Sequence, residues 1–162
     1  ADRHAFRPIG LQRNQELSIL QIRNDVPAKI AGVQWIAFGP NTFNGIAPYY
    51  TNVLDTPETY RDTKEHFNIQ NMYWLTHAIT TIADEHPFRY SASIEAMKQS
   101  TLAAGRHVLL ETDQEVQELA GEELQRKLQQ ANDKTAKAAY DTAMKCFGEC
   151  VETGSLKIRL NY

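Results

Sequence analysis

Two runs of mainly apolar residues, LSILQI and KIAGVQWIAF, lie near the start of the chain. Apolar side chains occupy odd and even positions of both runs, which is typical of strands covered on both faces. Asn24 and Asp25 favour a turn between the runs, and Pro27 is tolerated just before a strand. The pattern predicts an antiparallel β-hairpin over about 16–23 and 29–38, buried on both faces.

A long loop is predicted over 41–67. The stretch from Gly39 to Phe67 is dense in Gly, Pro, Asn and Thr and also carries several aromatic residues. An irregular segment of this length is uncommon in a compact domain and is often functional. Two interpretations stay open: a surface connector whose aromatic side chains pack onto the core, and the wall of a substrate pocket.

Apolar residues three and four positions apart then predict three helices, over about 68–85, 87–111 and 113–152. A His-Pro pair separates the first two, because the residue before a proline avoids helical angles. The sequence TDQE at 112–115 has the capping-box pattern and predicts the start of the third helix. Gly121 is a weak point in that segment, which therefore fits one long helix or two with a break.

These elements together predict an α+β fold. A hairpin region (1–40) is joined through the loop to a helical region (68–153). A length of 162 residues is that of one ordinary domain, and we expect a single domain over 1–162.

Composition excludes several classes of function. The 17 basic and 20 acidic residues are intermixed and give a net charge of −3, so no basic face for nucleic acid is expected. No transmembrane span or signal peptide is recognisable, which favours a cytoplasmic protein without membrane attachment. The cysteines, Cys146 and Cys150, and the histidines lack the spacing of metal ligands, and we expect neither a metal nor another cofactor.

The common catalytic motifs are absent from the sequence: it has no G-x-S-x-G elbow, Gly-rich phosphate loop or H-E-x-x-H pattern. Cys146 lies in a predicted amphipathic helix and is expected to be a small core residue. Arg7 and Arg13 precede the first strand. Their guanidinium groups could bind a carboxylate through two hydrogen bonds, or could pair with an acid such as Glu16.

Two longer patterns are more specific: R-x-Q-E-L-x-I-L-Q at 13–21 and W-x-A-x-G-P-N-T-F-N at 35–44. Together with DTPETYRDT and NMYWL they make residues 7–110 resemble the peptidases of family C69. The resemblance implies a cysteine dipeptidase without a cofactor, part of the αββα sandwich of the N-terminal-nucleophile (Ntn) hydrolases. In such enzymes the thiol of the first mature residue attacks the amide, and its own α-amino group acts as the base.

The chain begins with Ala1, and neither cysteine matches that nucleophile. The resemblance therefore implies the C-terminal part of a longer dipeptidase, inactive on its own. The site residues implied in this way are Arg7 and Arg13 near the nucleophile, and Asn41, Asn44 and Tyr49 in the wall of the pocket.

The expected partners follow from the same resemblance. They are dipeptide substrates and the remainder of the parent chain. A sheet taken out of a larger sandwich leaves apolar surface bare, which predicts self-association of the isolated chain. Two alternatives stay open: a noncatalytic helical interaction module, and one chain of a processed enzyme whose companion chain carries the nucleophile.

Overall fold

The computed structural model describes residues 14–156, which form an α+β fold of three strands and three helices. The elements are β1 (Glu16–Ile22), β2 (Gly32–Phe38), β3 (Ala47–Tyr50), α1 (Met72–Ala83), α2 (Pro87–Glu115) and α3 (Gly121–Ser155), with 3₁₀ turns at Ala28–Ile30 and Glu58–Tyr60. The predicted α+β class is confirmed. None of the helices within this range is long and apolar enough to cross a membrane.

The sheet is antiparallel, in the order β1-β2-β3. Ile19 lies opposite Trp35, which confirms the predicted hairpin. Its second strand begins at Gly32 instead of 29, because the 3₁₀ turn Ala28–Ile30 occupies the preceding residues. Arg23 closes the hairpin by donating its backbone N–H to the carbonyl of Ala31 at 3.0 Å.

The third strand, β3, was not predicted, since its four residues lie within the segment expected to be loop. A proline inside so short a run argues against a strand. The backbone N–H of Thr51, just beyond β3, bonds to Gly32, and bonds toward a neighbouring strand alternate, so Pro48 faces away from β2. Its missing N–H therefore removes no bond from the sheet.

Two buried clusters hold the helices against the sheet. The first joins Tyr49 of β3 to side chains of all three helices, such as Leu75, Met97 and Ala139. The second joins Val33 of β2 to the end of α2 and the start of α3. Helices α2 and α3 are antiparallel neighbours, so each of them contributes to both clusters.

The predicted start of the third helix at 112–115 is wrong. These residues end α2, where the backbone N–H of Val116 donates to the carbonyl of Thr112 at 3.1 Å. The Asp113 carboxylate accepts from Arg23, a contact between distant residues that a local pattern does not reveal. Helix α3 starts at Gly121, whose φ of +56° suits glycine, and the break is real. The first helix likewise begins later than predicted, after Asn71, whose side chain caps it.

The prediction that both faces of the hairpin are buried is wrong for its first strand. β3 is fully buried and β2 is buried or half-buried, whereas β1 has only one residue, Leu17, that is not exposed. The helices pack against β2 and β3, and β1 extends beyond them. Its apolar side chains therefore face solvent within the described part of the chain.

Candidate functional site

A small cavity of about 190 Å³ lies between the sheet and the segment that follows β3. Its lining includes Gln34 from β2, Tyr49 from β3, Tyr60 from a 3₁₀ turn and Asn132 from α3. Four separate parts of the chain thus meet around it. A pocket where polar groups from several elements converge is the usual form of a ligand site.

Tyr49 and Tyr60 are neighbouring aromatic residues in the wall of this cavity. Their ring centroids lie 5.1 Å apart, and Phe38 packs on Tyr60 at 5.3 Å. Tyr49 is 5% exposed to solvent and Tyr60 is 8% exposed. Neither phenolic oxygen has a hydrogen-bond partner of good geometry among the described residues, although the two hydroxyls lie close enough to interact with each other. A buried hydroxyl without a full set of partners is costly, by about 1–3 kcal/mol, so the pair is a candidate donor for a bound acceptor.

Both phenols are protonated at neutral pH. Burial raises the pKa of Tyr60 to about 12. Burial, with a further contribution from nearby Tyr60, raises the pKa of Tyr49 well above its ordinary value. Each hydroxyl therefore has a hydrogen to donate, and the pair suits an oxygen acceptor such as a peptide carbonyl or a carboxylate.

The amides in the wall are already engaged. The Gln34 side chain donates to the hydroxyl of Ser18 at 2.8 Å. Asn132 accepts from the backbone N–H of Tyr50 at 2.8 Å and donates to its carbonyl at 3.0 Å. The Asn132 side chain thus pairs with the outer edge of β3 as a neighbouring strand would, and it fastens that strand to α3.

A second set of hydrogen bonds connects Tyr50 and Arg23 to Asp113 of α2. Its hydroxyl donates to Asp113 at 2.8 Å, and Asp113 also receives two hydrogen bonds from Arg23. Arg23 donates in addition to the carbonyl of Ile30 at 2.6 Å, and its guanidinium lies 5.7 Å from the centre of the Tyr50 ring. Burial alone would lower the pKa of Arg23, but the contacts with Asp113 outweigh that effect and raise it. Arg23 therefore remains charged and ties the hairpin to α2.

The predicted site residues have different fates. Tyr49 lines the cavity. Asn44 is buried, and its amide donates to the carbonyl of Gly39 at 2.9 Å, which stabilises the turn after β2. Asn41 is half-buried and has an unpaired side-chain oxygen, but it is not part of this cavity. Arg7 and Arg13 lie outside the described residues, and their roles stay predictions.

Comparison with known proteins adds the family. The model of peptidase family C69 matches residues 1–100, which include β1–β3, the loop with Tyr60, and α1. The chain belongs to peptidase family C69. Tyr49 and Tyr60 of the cavity lie within the residues matched by the C69 model, whereas Asp113 and Asn132 lie beyond them.

Individual relatives match over more of the C69 chain. It is 46% identical over 157 residues to dipeptidase A of Lactobacillus helveticus, covering 97% of this chain and 33% of that protein. It is 38% identical over 161 residues to probable dipeptidase B of Lactococcus lactis, covering 99% of this chain and 34% of that protein. The C69 chain therefore spans about a third of the length of these relatives.

The two cysteines of the C69 chain are buried on α3, at 2% and 0% exposure for Cys146 and Cys150. A hydrogen bond with Cys150, together with burial, raises the pKa of the Cys146 thiol. A reactive cysteine needs an accessible thiolate. Cys146 is the core residue that its sequence context predicted. The described residues also contain no group of His, Cys, Asp or Glu that could hold a metal ion.

Sequence reasoning missed Tyr60, Gln34 and Asn132 as parts of the site. One of them left a signal: Asn132 lies four residues after Leu128, on the apolar side of the predicted helix, and the structure leaves it only 3% exposed. An amide in that position needs partners for its hydrogen bonds. Its partners are the backbone groups of Tyr50, 82 residues away, and a helix pattern cannot identify them.

Proposed function

We propose that this chain is the C-terminal part of a longer cysteine dipeptidase with an N-terminal nucleophile, and that it forms a single domain of an αββα sandwich. The observation that carries the proposal is 46% identity to dipeptidase A over 97% of the chain. The alternative of a noncatalytic helical module has no comparable support. A processed enzyme with a separate nucleophile chain would differ in assembly but not in chemistry.

In the proposed reaction the thiolate attacks the carbonyl carbon of the dipeptide amide, and the leaving amine takes a proton. Water then cleaves the thioester, which releases the acid and restores the thiol. This chain contains two cysteines, and both are buried. We therefore propose that the isolated chain does not hydrolyse dipeptides and that the nucleophile belongs to the rest of the enzyme.

The cavity at Tyr49 and Tyr60 is proposed as part of the substrate pocket. Its volume of about 190 Å³ is below the roughly 300–1,000 Å³ of a complete small-molecule site, so it suits one end of a dipeptide. The two phenols would donate to an oxygen of the substrate. Asn41, Asn44, Arg7 and Arg13 remain proposed site residues, and neither asparagine lines this cavity.

The test uses the full-length protein with Tyr49→Phe and Tyr60→Phe. Each variant loses one donor and keeps its ring, and we expect KM for dipeptides to rise by about 5- to 30-fold per hydroxyl. Thermal stability should stay equal or increase, because an unpaired buried hydroxyl is removed. Tyr90→Phe is the matched control, since Tyr90 is also 5% exposed but does not line the cavity. Unchanged KM in both cavity variants would refute the pocket assignment.

We also propose that the protein is cytoplasmic and that the isolated chain self-associates through its exposed apolar strand. β1 carries Ile19, Leu20 and Ile22 at 51%, 78% and 79% exposure. Apolar surface of this kind on an edge strand favours association. Light scattering coupled to size-exclusion chromatography should find a dimer or larger species. A monomer at high concentration would contradict this part of the proposal.

A further inference from the structure

Strand β1 is an edge strand that is bare on both faces. Leu20 lies opposite Gln34, and Ile19 lies opposite Trp35. Successive residues of a strand point to opposite faces, so the exposed Leu20 and Ile19 lie on different sides of the sheet. Neither face of β1 is buried by the rest of residues 14–156.

Within residues 14–156, the backbone of β1 also has an unpaired edge. The carbonyl of Gln15 accepts from Gly39 at 2.8 Å, and the N–H of Arg23 donates to Ala31 at 3.0 Å. Inward and outward bonding alternate along an antiparallel strand. The odd positions of β1 therefore bond to β2, and the even positions direct their N–H and C=O groups outward; these are Glu16, Ser18, Leu20 and Ile22.

The sequence of β1 does not protect this edge against pairing. Natural edge strands that face solvent are usually short or carry lysine, proline or a bulge. β1 has seven residues in unbroken register with β2, and the run from Leu17 to Ile22 has neither a charge nor a proline. A strand with this sequence is typical of the interior of a sheet, where both of its edges are paired.

The length of the relatives indicates what covers it. This chain covers 33% and 34% of the two dipeptidases that match nearly all of it. Roughly two thirds of a full-length protein of this kind therefore lie outside the 162 residues. A strand of the same polypeptide is present at an effective concentration in the millimolar range or above, which favours it over a second molecule.

We propose that β1 is an interior strand of a larger sheet, and that the strand beside it comes from the part of the same polypeptide outside these 162 residues. That segment pairs with the outward groups at Ser18, Leu20 and Ile22 and brings apolar side chains over both faces. The inference rests on the proposed function only in placing this chain in a longer protein.

The first measurement is residue-resolved hydrogen exchange on the unmodified full-length protein. The amides of Leu20 and Ile22 should exchange at least about 100-fold more slowly than an unstructured reference, as paired strand amides do. The amide of Gln21 bonds to β2 and serves as the internal control for an intact hairpin. Slow exchange at Gln21 with smaller slowing at Leu20 and Ile22 would overturn the proposal.

The second measurement identifies the occupant. A photo-crosslinking amino acid replaces Leu20 in the full-length protein, and mass spectrometry locates the product. We expect a crosslink within one molecule to a segment outside the 162 residues. A crosslink to a second copy, or to residues of this chain alone, would overturn the proposal. The same substitution at Phe88, which is 96% exposed on α2, controls for nonspecific capture.

Dipeptide hydrolysis is assayed in parallel on the unmodified protein. Turnover combined with a free β1 edge would refute the strand pairing and leave the proposed function standing. A paired β1 without turnover would do the reverse.

Discussion

The pair formed by Arg23 and Asp113 should contribute strongly to stability, and the contribution should appear when one partner is removed. The side chains are 9% and 12% exposed, so Asp113→Ala leaves the Arg23 guanidinium in a largely dry site. It also removes one of the two acceptors of the Tyr50 hydroxyl and leaves only the carbonyl of Leu109, at 3.0 Å. Breaking a buried pair in this way typically costs 3–5 kcal/mol, and we expect about 3 kcal/mol because some solvent access remains.

The assay is denaturant unfolding of the full-length protein, comparing Asp113→Ala with the double variant Arg23→Met, Asp113→Leu. The double variant removes both charges and should recover at least about half of the loss, since an apolar pair of similar volume is often tolerated. The exposed pair Arg61–Asp55 is the matched control, with side chains 42% and 61% exposed. Its variant Asp55→Ala should be indistinguishable from the parent protein.

Two results would refute this reasoning. If Asp113→Ala changed stability no more than Asp55→Ala, the buried pair would not fasten the hairpin to α2. If the double variant were less stable than Asp113→Ala, the loss would come from the pair's own attraction and not from the unpaired charge.

Three further predictions concern the same fastening and the cavity. Asn132→Leu leaves the backbone N–H and C=O of Tyr50 without their partner. The unfolding free energy, measured by denaturant unfolding, should fall by about 2–4 kcal/mol. A loss of under about 1 kcal/mol would contradict the role of this amide. Gly105→Ala places a Cβ 2.5 Å from Cδ of Pro48 and should lower Tm, whereas Gly148→Ala has open space and should raise it; a higher Tm for both would show that α2 can move away from β3. The pKa of Tyr60 is raised from 10.0 to about 12, so its contribution to stability is present below pH 10 and is lost as the pH rises toward 12. The unfolding free energy of Tyr60→Phe should therefore fall less steeply over that pH range. An unchanged slope would refute the raised pKa.

Periodicity predicted what depends on neighbouring residues. It identified the hairpin and three helical segments, because apolar spacing is set by the local geometry of each element. It failed at β3, where four residues including Pro48 form a strand only because β2 and Asn132 supply partners on its two sides. It also failed at Asp113, which resembles part of a helix start but is used by Arg23, 90 residues away.

The exposure of β1 is a different kind of error. Apolar residues at odd and even positions predicted a strand covered on both faces, yet Leu20 and Ile22 face solvent in the described chain. The pattern records the surroundings for which the strand is built, whereas the structure contains about a third of the length of its relatives. Under the proposed pairing of β1, the remaining polypeptide would supply the cover that the pattern predicted.

The candidate pocket depends on residues outside the family match. Tyr49 follows Pro48 and precedes Tyr50 on β3, and adjacent strand residues point to opposite faces. Asn132 fixes the backbone of Tyr50, and Asp113 accepts a hydrogen bond from its hydroxyl, so both hold Tyr49 toward the cavity. Asp113 lies beyond residue 100 and is itself held by Arg23 from within the matched region. The helical region thus positions the pocket wall, and variants of Asn132 should raise KM for dipeptides through Tyr49 as well as lower stability.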